Sequence, residues 1–248
     1  MAHCPVLAGH YQVQQMQYSY DIEKGEQALS ISELEIKPGE RVAILGKTGA
    51  GKSTLLKLLS GQAQASKGKV IIDGVDMAHI DPTDVRRQVG YLSQVSRLFF
   101  GTLRQNLMLG HPHATDAELI QALRISGAIG MVQQDAASLD RLINEGGRGL
   151  SGGQRQMVLL SRLIVRNPQI VLLDEPTASM DEQLEGWVIR QLQQWLTGRT
   201  LVLVTHRPAL LNLVDRIVVM ENGKVVADGP RDTLLKQATR NSNVASIA

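Results

Sequence analysis

Apolar residues in "ALSISELEIK" fall at Leu29 and Ile31 and then, after a slip of phase, at Leu34 and Ile36. That is the period of a strand with one buried face. A turn at "PGE" leads to "RVAIL", residues 41–45, an unbroken apolar run that suits a strand buried on both sides. "KSTLLKLLSG" reads as a helix stopped by Gly61, "KGKVIIDG" as a strand, "DPTDVRRQ" as a short helix opening at Pro82, and "VGYLSQ" as a strand. From about Arg97 to Arg166 the pattern is mainly helical. "TDAELIQALRISG" begins with capping-box spacing from Thr115 to Glu118 and closes on Gly127, and "SGGQRQMVLLSRLIV" is a second helix. Strand and helix then alternate again through "QIVLLDE", "EQLEGWVIRQLQQWL", "TLVLVTH" and a short helix after Pro208. "RIVVMENGKVVADG" reads as a hairpin turning at Asn222-Gly223. Continuous apolar strands between helices predict a parallel sheet, so the fold class is α/β, with antiparallel strands on the N-terminal side and a helical insertion. The expected divisions are 11–96 and 167–238 for the two parts of the core, 97–166 for the insertion, and 239–248 for a flexible tail ("TRNSNVASIA" begins at Thr239).

Composition narrows the class. A chain of 248 residues with 43% hydrophobic residues can bury a large core. Its formal net charge of +2 is too small to argue for nucleic acid as a partner. The single cysteine, Cys4, excludes an internal disulfide and suits a reducing compartment. No run of apolar residues reaches membrane-spanning length, and "MAHCPVLAGH" holds no stretch of signal-peptide length. Minor features read as structural: His111 and His113 as loop residues, Trp187 and Trp195 as packing on one helix, Lys67 and Lys69 as solvated charge.

The chemistry is concentrated in "GKTGAGKST", which fits the Walker A spacing: Gly46, four residues, then Gly51-Lys52-Ser53. Glycine lets successive backbone N–H groups converge on one concavity, and the following helix adds its positive dipole end. Gly46, Lys47, Thr48, Gly49, Ala50, Gly51, Lys52, Ser53 and Thr54 therefore form a candidate phosphate cradle. Lys52 is placed to reach the β- and γ-phosphates, and Ser53 to hold Mg²⁺. "QIVLLDE" reads as the partnering Walker B strand. Its apolar run carries Asp174 to the strand end, as a ligand of the metal's water shell, with Glu175 next to it placed to activate water. In "LSGGQ", Leu150–Gln154, Ser151 can cap the next helix while Gly152 and Gly153 open its N–H groups to a second anion.

Together these motifs resemble the ATP-binding cassette family, from about Val13 to Leu235. The resemblance implies a P-loop NTPase (RecA-like) core with an N-terminal antiparallel β subdomain and an inserted helical subdomain. It implies an ATPase whose cofactors are ATP and Mg²⁺. Ser151, Gly152, Gly153 and Gln154 would bind nucleotide across a head-to-tail pair. Tyr20 resembles the aromatic that stacks on adenine, with Tyr18 as rival. Gln94 in "YLSQ" resembles the Q-loop glutamine, touching Mg²⁺ or attacking water. Asp181 in "ASMD" matches the D-loop, although Met180 stands where leucine is usual. His206 in "LVTH" matches the switch histidine at the γ-phosphate. Glu175, His206, Lys52 and Gln94 are the expected catalytic set, and Ser53, Gln94 and Asp174 the expected metal set.

"LFFGTLRQNLMLG" is similar to an exporter run on which the membrane domain's coupling helices dock, and "INEGGRG", with Glu145 at its glutamate position, resembles the X-loop of exporters. "GTLRQNL", "EGGRGLSGGQRQ" and "DEPTASMDEQ" look closest to bacterial type I secretion ATPases. The expected partners are a second copy of the chain, an exporter's transmembrane domain and, through it, a periplasmic adaptor and an outer-membrane channel, with no nucleic acid. The expected location is the cytoplasmic face of the inner membrane, with the chain an excised domain of a half-transporter or a separate subunit. Other readings are export of lipid or small molecules, a soluble cassette ATPase without a membrane partner, a P-loop kinase, and a regulatory cassette without activity.

Overall fold

Residues 6–20, 27–133 and 138–240 are described by a computed structural model. Along the chain run β1 (Tyr11–Ser19), β2 (Gln27–Ile36), β3 (Arg41–Leu45), α1 (Lys52–Leu59), β4 (Lys67–Ile72), β5 (Val75–Asp76), α2 (Pro82–Gln88) and β6 (Val89–Leu92). Next come β7 (Gly101–Thr102), α3 (Leu103–Leu107), α4 (Asp116–Ser126), α5 (Gly130–Gln133), β8 (Leu142–Ile143) and α6 (Gly152–Val165). The last part holds β9 (Ile170–Asp174), α7 (Glu182–Trp195), β10 (Thr200–Val204), β11 (Arg216–Glu221), β12 (Lys224–Pro230) and α8 (Arg231–Arg240). The chain divides into two compact units. One comprises 1–91, 169–174 and 198–248, and the other 92–168 and 175–197.

The first unit is built on a six-stranded sheet of order β12-β11-β3-β10-β9-β6 and an antiparallel four-stranded sheet of order β2-β1-β4-β5. β11, β3, β10 and β9 pair in parallel, while β12 returns antiparallel to β11. Every residue of β9 and β10 is buried, which explains their unbroken apolar runs. The phase slip in the second strand is seen in its burial and is matched in β1, where Gln14 and Gln15 both face solvent, Gln15 takes a left-handed φ of 45°, and the β1–β4 register shifts between Gln14 and Gln17. Leu29, Ile31, Leu34 and Ile36 all remain in the core, while Ser32 and Glu33 face solvent.

α1 has only eight residues, too few to be stable alone. Leu55, Leu56, Leu58 and Leu59 are all buried and share one cluster with residues of both sheets, among them Tyr11, Met16, Ile44, Leu172 and Val204. Burial worth about 1.5–3 kcal/mol per large apolar side chain therefore holds this helix. Tyr11 ties its far end, donating its hydroxyl to Leu59 O at 2.9 Å. Burial, then the Asp73 charge, push that hydroxyl's pKa far up, so it stays a neutral donor.

In the second unit α6 packs against α3 and α4, and α4 also against α7. The capping box expected at Thr115 and Glu118 forms in both directions, and Gly127 closes α4 with φ 83°. The helical reading of this region misses a small antiparallel pair, Gly101 with Ile143 and Thr102 with Leu142. Two-residue strands carry no period to detect. The short helix after Pro208 is 3₁₀, Pro208–Leu213. α8 was not anticipated and runs into the segment read as a tail, whose residues 241–248 lie outside the described residues. Trp195 is half-buried, but Trp187 is 45% exposed, so packing accounts for only part of its surface.

Candidate functional site

The phosphate loop joins β3 to α1. Gly46 has φ 153°, and a Cβ there would lie 2.2 Å from Met220 O. At Gly51, the left-handed N-cap residue of α1, a Cβ would lie 2.4 Å from Leu29 Cδ2. Both glycines are thus fixed by backbone angle and by close approach. Around Gly49 a Cβ would meet nothing within 4 Å, which marks the open side of the loop, and Lys47 and Thr48 are exposed beside it. Ala50 is buried, and its carbonyl accepts from Gly223 N at 3.1 Å, so the β11–β12 hairpin tip braces the loop. Lys52 is buried, and its Nζ donates to Gly46 O and, at 2.9 Å, to Lys47 O. Ser53 is half-buried and Thr54 buried in the first turn of α1. That turn holds no acidic residue and no side-chain cap, so the positive helix end is left for an external anion.

Strand register levels three further positions with this loop. Val204 pairs with Ile44 on one side and Asp174 on the other, so the ends of β3, β10 and β9 share one sheet edge. Asp174 is 3% exposed there. Thr205 and His206 follow β10 directly. Thr205 Oγ1 accepts from Arg207 N at 2.9 Å, and His206 is exposed. Tyr20 is 66% exposed, and its hydroxyl hydrogen-bonds Thr54 Oγ1. Tyr18 is packed partly against the core and meets Tyr20 edge-on at 5.2 Å between ring centroids. Tyr91, not singled out in the sequence, has a buried hydroxyl without a hydrogen-bond partner among the described residues. Burial first, then the charges of Asp174 and Tyr20, raise its pKa. No pattern in "VGYLSQ" distinguishes it from an ordinary strand tyrosine.

The second unit carries the remaining candidates. Gln94 is exposed in a turn tied by Ser96 N to Ser93 O at 3.1 Å and Ser93 N to Ser96 Oγ at 3.1 Å. Ser151 caps α6 as expected, and Gln154 completes a capping box: Gln154 N donates to Ser151 Oγ at 3.1 Å and Ser151 N to Gln154 Oε1 at 2.9 Å. Gly152 and Gly153 face the loop after β9, where a Cβ on either would lie 3.1 Å from Ser179. Glu175 adopts φ 51°, a left-handed conformation that costs a non-glycine residue about 1–2 kcal/mol. Gln156 Nε2 donates to Glu175 O and Gln156 Oε1 accepts from Ser179 N, both at 2.9 Å. Nothing local in the sequence marks Gln156, because its two partners lie 19 and 23 residues further along the chain. Asp181 caps α7, accepting from Leu184 N at 2.8 Å.

The two exporter-like stretches meet in this unit. Phe100 N donates to Glu145 Oε2 at 3.1 Å, and Phe100 and Leu142 are 61% and 57% exposed. Asn106, fully buried, holds Phe99 through its amide, and Arg162 of α6 donates to Asn106 O, Asn106 Oδ1 and Arg97 O.

The donor sets suit ATP and Mg²⁺. A glycine cradle open on one side and an uncapped helix start fit a polyphosphate. A hydroxyl and a carboxylate are hard oxygen donors, and Mg²⁺ takes few protein ligands when phosphates supply others. Among the described residues no group of three or more His, Cys, Asp and Glu forms a separate metal cage.

A phosphate loop at the parallel sheet's carboxyl edge, with an acidic strand end beside it, defines a P-loop ATPase domain. The family model described as "ABC transporter" matches residues 29–178, and the chain belongs to that family, as an ATP-binding cassette ATPase domain. The chain is 36% identical over 234 residues to the cyclolysin secretion/processing ATP-binding protein CyaB of Bordetella pertussis, covering 94% of this chain and 33% of that protein. It is 38% identical over 205 residues to the leukotoxin translocation ATP-binding protein LktB of Mannheimia glucosida, covering 83% of this chain and 29% of that one. The chain thus spans about a third of the length of the curated relatives it matches. A bacterial Atm1-family ABC exporter solved with ATP bound superposes with a TM-score of 0.89 at 30% identity, covering 94% of this chain and 41% of that chain. Among the described residues no helix is long and apolar enough to cross a membrane.

Proposed function

We propose that this chain is the nucleotide-binding domain of an exporter and that it hydrolyses ATP in a head-to-tail pair to drive export of a protein or peptide. The observation that carries the reading is the shared sheet edge: open phosphate loop, buried Asp174 and exposed His206 at the ends of three adjacent strands. The secretion and translocation named for the two relatives support polypeptide cargo.

In this reading the loop N–H groups, Lys52 and the α1 helix end bind the phosphates, and Tyr20 stacks on adenine. The start of α6 on a second copy, exposed at Ser151, presents the N–H groups of Gly152 and Gly153, which its capping box leaves unused, to the same nucleotide, with the Ser151 and Gln154 side chains beside them. Asp181 lies beside that interface. Ser53, Asp174 and Gln94 would hold Mg²⁺, which when bound offsets charge on the phosphate oxygens. Glu175 orients or deprotonates the attacking water, and His206 donates to the γ-phosphate as charge develops. Phosphate loss removes the ligand that bridges the pair, and the reopening does work on a membrane domain docked at Phe100, Leu142 and Glu145. By its motifs the core is assigned 11–96 with 167–238 and the insertion 97–166, a division that differs from the compact units mainly in keeping 175–197 with the core, and the chain works at the cytoplasmic face of the inner membrane.

Hydrolysis should rise more steeply than linearly with protein concentration. Glu175→Gln should retain ATP and elute as a dimer only with ATP present. Linear dependence, with no ATP-bound dimer of Glu175→Gln, would remove the paired mechanism. Cargo is tested by joining the chain to a membrane domain in inverted vesicles and following uptake of a labelled polypeptide. Uptake of lipid or small solutes but not of polypeptide would instead establish export of lipid or small molecules.

A further inference from the structure

Glu175 stands in a backbone conformation that favours glycine, with φ 51°. Such a residue persists only where its surroundings over-determine it. Its carbonyl accepts from Ala178 N at 3.3 Å within the same turn and from Gln156 Nε2 at 2.9 Å, from one turn into α6. The other end of the same amide accepts from Ser179 N at 2.9 Å. One half-buried side chain therefore clips both ends of the segment Glu175–Ser179. The fit is close because Gly152 and Gly153 carry no side chain: a Cβ on either would stand 3.1 Å from Ser179.

We infer that Gln156 is a positioning residue for Glu175: its amide holds the carboxylate-bearing backbone in its left-handed turn and joins it to the N-terminal end of α6. The inference rests on the proposed role of Glu175 and goes beyond it. In a head-to-tail pair the start of α6 answers to the nucleotide on the neighbouring copy, whereas Glu175 serves the nucleotide on its own. The clip therefore links the two nucleotides through one side chain. The amide is needed as both donor and acceptor. Glutamate in its place keeps an acceptor for Ser179 N but sets a negative charge against Glu175 O. Methionine keeps the volume and neither bond.

The experiment compares wild type, Gln156→Met and Gln156→Glu by steady-state hydrolysis, nucleotide titration and thermal melting. Both variants should lose about ten-fold or more in kcat, a loss of order 1.4 kcal/mol by transition-state arithmetic, while KM for ATP stays within about two-fold. ATP-dependent pairing should persist, and the Hill coefficient for ATP should fall toward one. Melting midpoints close to wild type separate this from a packing defect. Wild-type kcat in Gln156→Met, or a kcat loss matched by equal losses of ATP affinity and melting midpoint, would overturn the inference and leave the proposed function standing. A wild-type chain that binds ATP but never cleaves it would overturn both.

Discussion

At the scale of single residues, the two tyrosines before the phosphate loop stand in different surroundings, and the proposed stacking on adenine falls to only one of them. Tyr18 leans on the core, while Tyr20 exposes most of its ring, meets Tyr18 edge-on and ties its hydroxyl to Thr54. Stacking of a base on an aromatic ring is worth about 1–3 kcal/mol. Tyr20→Ala should therefore weaken ATP binding by roughly ten-fold with little change in melting midpoint, whereas Tyr18→Ala should lower the midpoint more than the affinity. Fluorescent-nucleotide titration beside thermal melts reads both. The contiguous residues of the site were legible in the sequence because their chemistry is local. Gly46 and Gly51 advertise a loop that no side chain could enter, and Ser151 announces a helix start. Gln156 and Tyr91 were not legible: one clips a loop distant in sequence, the other buries a hydroxyl near Asp174 and Tyr20. Neither relation leaves a trace in spacing.

At the scale of elements, capping decides where the second unit's helices begin. Arg104 bonds to Asp116 and holds its carboxyl below the usual carboxylate range, and the Thr115 N–H does the same for Glu118. Lowered folded-state values mean that this stabilisation is complete above the unfolded values and fades as pH falls through the folded ones. The melting midpoint should therefore hold at neutral pH and drop below about pH 4. Asp116→Asn with Glu118→Gln should flatten that acid limb while leaving the same-pH helix content at neutrality nearly unchanged, which circular dichroism checks. Elements with long period or local caps, such as α4, α6 and β9, were read from sequence nearly to the residue. β7 and β8 were missed because two-residue strands exist only by pairing with each other. α8 was missed because its sequence is mostly polar, with only a narrow apolar stripe to bring it against β11 and β12.

At the scale of the whole molecule, the fold class followed from alternating buried strands and helices, but the tertiary props of the site did not. The hairpin tip is the clearest case. Asn222 and Gly223 both take positive φ, Gly223 N reaches Ala50 O, and Gly223 O receives Ser30 N at 2.8 Å. A Cβ on Gly223 would stand 2.4 Å from Ala28 O. Gly223→Val should thus cost roughly ten-fold in ATP affinity, about 1.4 kcal/mol, in a chain that still melts cooperatively. Isothermal titration would show it, and unchanged affinity would mean the tip bears no strain that the loop feels. A fluorophore or peptide tag inserted at this turn, on a stretch that looks like harmless surface, would act as a remote inhibitor. Surveys for damaging variants that watch only the nucleotide motifs would overlook it.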